Sequence, residues 1–267
     1  ELTRDDFNYY MTGRKLENIK FIPKKISEEP ILNVKNLSLK NHYEDISFEV
    51  RKGEILGITG LLGSGRTELA LSLFGIRKAD GGHVYLDGKE IKINSPITAQ
   101  KMKIGYVPED RLTEGLCLEQ SISDNITLSS LKRLSSNIGV IKKQDLLEDA
   151  KIWVEKLSIA TNNPANKVST LSGGNQQKVV LSKWLSTDLD LLILNGPTVG
   201  VDIGAKQDIY NLVQSLAHEG LAIIVISDDL AEVVTNCNRV LVMKEGRIVG
   251  KLSQDDITEE EIQNIIS

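Results

Sequence analysis

Cysteine, net positive charge and long apolar runs are all scarce in this 267-residue chain, and each shortage removes a class of function. Its two cysteines, Cys117 and Cys237, stand in neither a Cys-x-x-Cys nor a Cys/His ligand spacing. A disulfide framework or a zinc site is therefore not expected, and a reducing compartment is. The three histidines, His42, His83 and His218, are scattered and predicted at surface or turn positions. Lys and Arg number 32 against 37 Asp and Glu, for a formal charge of −5. Neutralising a phosphate backbone needs a basic stripe, so nucleic acid is not expected as a partner. The longest apolar stretches, such as Leu221 to Ile226, fall far short of the ~20 residues that span a bilayer. The acidic opening ELTRDDFNYY has no signal-peptide character. A membrane role is expected only through a partner.

What is present suffices for a large buried core, at 40% hydrophobic and 26% charged. Residues 2–11 (LTRDDFNYYM) can be laid over residues 257–266 (ITEEEIQNII), an offset of about one domain. Residues 1–14 are thus expected to be the tail of a preceding copy. KFIPKKISEEP (20–30), bracketed by Pro23 and Pro30, reads as an interdomain linker whose KKISEE (24–29) is expected to be solvated. The domain proper is predicted over 31–267.

Short strand patterns begin at Ile31: ILNVKNLSL, DISFEV, EILGIT, HVYLDG and IGYVP. A helical subdomain is predicted at about 110–186. Within it Leu146, Leu147, Ala150, Trp153, Val154 and Leu157 recur every three or four residues and line one helix face. Trp153 and Trp184 are predicted as core. Strands at 190–195, 221–227 and 239–243, with a helix at 204–220, then alternate as a βαβ unit. Near-continuous apolar strands between amphipathic helices predict an α/β fold with a buried, mostly parallel sheet.

After the strand Glu54–Thr59 comes GLLGSGRTELALSLFG (60–75), with the spacing of the phosphate loop G-x-x-x-x-G-K-[ST] and Arg66 in the lysine's place. Glycines let successive backbone N–H groups curl around phosphate oxygens, and the helix predicted from Thr67 to Phe74 aims its positive end at the anion. The candidate contacts are Gly60, Leu61, Leu62, Gly63, Ser64, Gly65, Arg66, Thr67 and Glu68, with the Thr67 hydroxyl available to Mg²⁺. Arg66 keeps the charge, but its planar fork is bulkier than an ammonium. A second segment, LSGGNQQKVVLSKWL (171–185), places Ser172, Gly173 and Gly174 at a helix start. Ser172 is predicted to cap it, with the glycines exposing N–H groups to an anion. The apolar strand of LLILNGPTVGVD (191–202) ends on Asn195 and Gly196, where a hydrolase of nucleotides would hold two carboxylates.

In this order and at these distances the motifs resemble the nucleotide-binding domains of ABC transporters, from Ile31 to the end. LSGGNQQK is similar to that family's signature in its ribose, galactoside and xylose importers, as are YVPEDR (106–111), TVGVDIGAK (198–206) and GRTE (65–68). The resemblance implies a P-loop NTPase core of the RecA-like ABC type with an antiparallel β subdomain and a helical subdomain, binding ATP; the family's Mg²⁺ is expected to be held poorly here, because neutral Asn195 stands where the family has a carboxylate. It implies two such domains fused in one polypeptide, this being the second. The partners implied are the first nucleotide-binding domain, a membrane permease and, indirectly, a periplasmic-type solute-binding protein, placing the chain at the cytoplasmic face of the membrane. Each ATP would lie between one domain's phosphate loop and the other's signature, so Ser172, Gly173 and Gly174 would touch nucleotide held by the partner.

Carried over residue by residue, the family's magnesium-binding Asp corresponds to Asn195, its general base Glu to Gly196, its switch histidine to Asp228 and its Q-loop glutamine to Glu109. Asp202 matches the loop that communicates between the sites, and Tyr43 or His42 stands where an aromatic stacks on adenine. No catalytic residue is assigned. Loss of a positioned base alone is typically worth about 10²–10⁴ in rate. Hydrolysis at the local site is expected to be very slow. Two alternatives stay open: an active ATPase using Glu109, Asp110 or Asp228 as substitute acids, and a non-transport scaffold on the same fold.

Overall fold

Strands β1 (Pro30–Leu39), β2 (Tyr43–Arg51) and β3 (Ile55–Gly60) lead into helix α1 (Arg66–Leu73), then β4 (Gly81–Leu86), β5 (Lys89–Ile91), α2 (Pro96–Lys101) and β6 (Ile104–Val107). A helix-rich stretch follows with α3 (Ile122–Thr127), α4 (Leu131–Leu134), α5 (Lys143–Lys156) and α6 (Gly173–Leu185). The chain then returns through β7 (Leu191–Asn195), α7 (Ile203–His218), β8 (Ala222–Ile226), α8 (Leu230–Asn236), β9 (Arg239–Lys244), β10 (Arg247–Ser253) and α9 (Glu259–Ile266). This computed structural model describes residues 20–136 and 138–267. The expectation for residues 1–14 lies outside the described residues.

The contacts divide the chain into two compact units. One contains Val107–Leu189 and Thr198–Leu212; the other runs from residue 20 to Tyr106 and adds Asp190–Pro197 and Val213–Ser267.

The second unit holds both sheets. The four-stranded one has the order β2-β1-β4-β5, its pairs antiparallel. The six-stranded one has the order β10-β9-β3-β8-β7-β6, with β3 parallel to β8 and β9, and β7 parallel to β8. Every residue of β3, β7 and β8 is buried, which is why these strands read as apolar runs without alternation. Truncating one such residue, Ile193, would cost about 2–5 kcal/mol through lost transfer energy and the cavity left behind. The polar, half-exposed β10 escapes that pattern because it is an antiparallel edge strand, alternately exposed and half-buried.

The stretch read as an interdomain linker is tied to the second unit at its start, while residues 24–29, expected to be solvated, are exposed or half-buried. Phe21 is 4% exposed, donates its N–H to Thr235 O at 2.8 Å and lies against the His218 ring at 4.9 Å between centroids. Gln254 Nε2 donates to Phe21 O at 2.7 Å. A buried aromatic at position 21 thus anchors the start of the segment.

The first unit packs α3, α5 and α6 around satisfied polar groups. Asn125 is buried, yet its amide accepts from Cys117 N at 2.8 Å and donates to Cys117 O at 3.1 Å and Ser121 O at 2.9 Å. On α5 only Asp149 and Ala150 are buried, while Leu146, Leu147, Trp153 and Val154 are half-buried, so the predicted apolar face is only partly covered. Trp153 and Trp184 are likewise half-buried rather than core, each beneath a lysine ammonium.

Candidate functional site

Pairing across the large sheet puts Ile58, Ile226 and Asn195 in one row, so β3, β8 and β7 deliver their carboxyl ends to the same edge. Ligands of open α/β sheets bind in the crevice outside such an edge. Three segments leave the strands there: residues 60–65, Ser227–Asp228 and Asn195–Gly196.

The first is the phosphate loop. Gly65 is the N-cap of α1 in the left-handed region (φ 91°), and a Cβ there would lie 2.4 Å from His42 O. Gly63 is also left-handed (φ 80°) but faces open space, so conformation rather than crowding selects glycine at that position. Leu69 N makes the first helical bond, to Gly65 O at 2.9 Å. The N–H groups of Arg66, Thr67 and Glu68 therefore precede the intrahelical ladder and are left for an anion. Among the described residues the buried Ser64 hydroxyl has no hydrogen-bond partner. An orphaned buried hydroxyl within the loop fits a phosphate oxygen. Leu61 and Leu62 are 61% and 96% exposed and enter the site only through their backbone.

Arg66 is turned inward. Its Nη1 donates to Gly60 O and its Nη2 lies 3.4 Å from Asp228 Oδ2, with only 10% of the side chain exposed. The positive charge expected to meet phosphate is shared with the loop's own carbonyl and with an acid from β8's end.

At the end of β7, Asn195 is 3% exposed and its Nδ2 lies 3.4 Å from Tyr106 Oη, whose ring stacks on Phe74 at 5.2 Å. Gly196 has φ 57° and donates its N–H to Ile226 O at 2.8 Å. Thr67 is half-buried and can offer Mg²⁺ one hydroxyl, but Asn195, at the end of β7, carries no charge to offset the ion. The residues fit a phosphate better than they fit its metal.

The expected adenine contact narrows. Tyr43 is 3% exposed and part of the core, where burial holds its phenol above the ordinary range. His42 is half-buried beside the loop, with Nδ1 3.8 Å from Glu68 Oε1 and Nε2 3.5 Å from Arg77 Nη1. Of the remaining histidines, exposed His83 pairs with Glu90 at 2.7 Å.

The first unit carries the second glycine-containing helix start. Ser172 occupies the N-cap of α6, but its hydroxyl makes no capping bond to the helix backbone. Instead it accepts from Asn175 Nδ2 at 2.9 Å, while Asn175 Oδ1 accepts from Ala160 N at 2.8 Å. The predicted cap is thus replaced by a side-chain relay, and the first N–H groups of α6 stay uncapped by Ser172. Gly174 is buried, and a Cβ there would meet Ala205 Cβ at 2.4 Å, so this glycine serves close packing rather than exposure. A Cβ on Gly173 would fall 2.8 Å from Arg111 Nη2.

Arg111 is the residue that sequence reasoning passed over. It was visible inside YVPEDR, but only the folded chain brings it to Gly173 and to the Val199 and Gly200 carbonyls. Its neighbour Asp110 caps the following turn, accepting from Leu112 N, Thr113 N and Thr113 Oγ1 at 3.0, 3.2 and 2.7 Å. Those bonds hold the exposed carboxyl below the usual carboxylate range. Asp110 and Asp228 are both engaged, while Glu109 is exposed. Asp202 Oδ1 accepts from Ala205 N at 2.9 Å at the start of α7.

A family profile described as ABC transporter matches residues 43–199. The chain belongs to the ABC transporter family. The cassette is 44% identical over 98% of its length to the ribose import ATP-binding protein of Caldanaerobacter subterraneus subsp. tengcongensis, and 41% identical over 98% to the galactose/methyl galactoside import ATP-binding protein of Clostridium tetani. It spans 53% and 52% of those two proteins, about half the length of the curated relatives it matches. Among solved structures, a nucleotide-free ATP-binding cassette from an ABC transporter superposes with a TM-score of 0.74 at 24% identity, covering 89% of this chain and 95% of that one. The likeness establishes the fold: an ABC cassette, α/β with an antiparallel β subdomain and helical parts. Among the described residues no helix is long and apolar enough to cross a membrane.

Proposed function

We propose that this chain is the second nucleotide-binding domain of a tandem ATP-binding protein that drives sugar import, with a degenerate site of its own and a signature that serves the first domain's ATP. The names of the ribose and galactose relatives support the solute class, and the roughly half-length coverage supports a tandem whole. Within that reading the permease is the docking partner, a solute-binding protein acts upstream of it, and the chain works at the cytoplasmic face of the membrane.

One observation carries the degeneracy: Asn195 ends β7, with Gly196 directly after it, in the row that also delivers the phosphate loop. Bound Mg²⁺ would supply charge neutralisation at the transferring phosphoryl group. The chain's own part is to cradle phosphate with the amides of 60–68, to offer Thr67 to the ion and to hold Arg66 within the loop. Asn195 has no charge to set against the metal, and Gly196 has no side chain to orient or deprotonate water. Binding is therefore retained and chemistry is lost.

Calorimetric titration of ATP with and without Mg²⁺ tests this. Affinity nearly indifferent to the metal supports the reading, whereas strictly metal-dependent binding overturns it.

A further inference from the structure

We propose that Arg111 is the positioning residue of the signature end, holding the turn after β7 against Gly173 so that Ser172 and Gly173 meet a partner's nucleotide in register. This rests on the reading that α6 serves a site on the first domain. Arg111 follows Asp110 at the start of a one-turn π-helical segment, Arg111–Gly115. Its fork donates from Nη1 to Val199 O at 2.6 Å and from Nη2 to Gly200 O at 2.9 Å, two consecutive carbonyls of one turn. Gly200 lies in the left-handed region (φ 66°), and a Cβ on it would stand 3.2 Å from Nη1. With the contact to Gly173, the guanidinium fills the space between the signature backbone and this turn, and both glycines leave room for it. The far end of the same segment is tied to α6 as well, through Lys183 Nζ donating to Gly115 O at 2.6 Å.

Stability alone does not account for this arrangement. The Arg111 fork bonds to neutral carbonyls, the adjacent exposed Asp110 carboxylate attracts it only through space, and among the described residues its buried Nε has no partner. A cation beside the N-terminus of α6 also opposes the positive end of that helix's dipole. A local conflict of this kind is expected where function requires it, and an arriving phosphate would relieve it. Lysine, with a point charge in place of a planar fork, cannot hold both carbonyls in this geometry.

The test compares wild type, Arg111→Lys, Arg111→Ala and the signature-blocking Ser172→Arg in the full tandem protein, reading kcat and KM for ATP, the thermal midpoint, and hydrogen exchange at the Val201 N–H, which bonds to Thr198 O at 3.1 Å. Positioning predicts that Arg111→Lys and Arg111→Ala lose about 10- to 100-fold in kcat, with KM and midpoint little changed and Val201 exchanging faster. Wild-type kcat in Arg111→Lys, with Ser172→Arg inactive, overturns the role of Arg111 alone. A fall in kcat that only tracks loss of folded protein overturns it too. Full kcat in Ser172→Arg removes the signature reading and this inference with it.

Discussion

Arg66 Nη2 lies 3.4 Å from Asp228 Oδ2, so the cation of the phosphate loop carries its own counter-ion. Asp228 is 72% exposed, and an ion pair so open to water is worth at most ~1 kcal/mol, about fivefold in an equilibrium constant. Asp228→Asn is expected to tighten ATP binding to this chain by up to about fivefold, and the gain should vanish in an Arg66→Ala background. Calorimetry on the four combinations measures it; equal affinities for wild type and Asp228→Asn would remove the counter-ion role.

Restoring the two acids should have unequal consequences. Asn195 is buried against Tyr106, so Asn195→Asp places a carboxylate in a buried position beside the Tyr106 hydroxyl, where a bound metal would help satisfy it. The variant is expected to melt below wild type without nucleotide and to gain more than wild type from MgATP. Gly196 sits at φ 57°, where a side chain costs roughly 1–2 kcal/mol. Gly196→Glu is therefore expected to lower stability by about that amount before contributing any chemistry, which thermal melts of the two single variants will separate.

Lys183 makes folding stability depend on alkaline pH. Burial pulls its ammonium from an ordinary 10.5 down to about 8. Between those values the unfolded chain binds more protons than the folded one, so stability rises with pH from about 8 to 10.5 at this residue and carries its full penalty below 8. Relative to Lys183→Met, wild type should gain on the order of 1–2 kcal/mol between pH 7.5 and 9.5. Urea unfolding at both pH values checks the sign; a flat difference would mean that the lysine is charged equally in both states.

Much of the fold was legible because the informative segments are extreme. β3, β7 and β8 are wholly buried and almost wholly apolar, with Thr59 and Asn195 the exceptions, and the glycines of 60–65 adopt backbone angles or close approaches that other residues resist. The short α2 also carries a readable start, with Ser95 accepting from Thr98 N at 3.2 Å and Pro96 at the first helical position, although periodicity gives no hint of so brief a helix. Of the site, the cradle and the missing acids could be read from spacing. Side-chain direction could not: nothing local indicates that Arg66 turns back on Gly60, that Tyr43 is core, or that Ser172 bonds Asn175 instead of the helix. Arg111 was hidden for a different reason, since its acceptors lie 88 and 89 residues further along the chain.

The most direct measurement is steady-state ATP hydrolysis with Mg²⁺ by this chain alone, set beside the same chain assembled with the proposed first domain. The account predicts almost no phosphate release from the isolated chain and robust release from the assembly, lost when Ser172 is replaced by Arg. Fast, metal-dependent release from the isolated chain, abolished by Arg66→Ala, would contradict it.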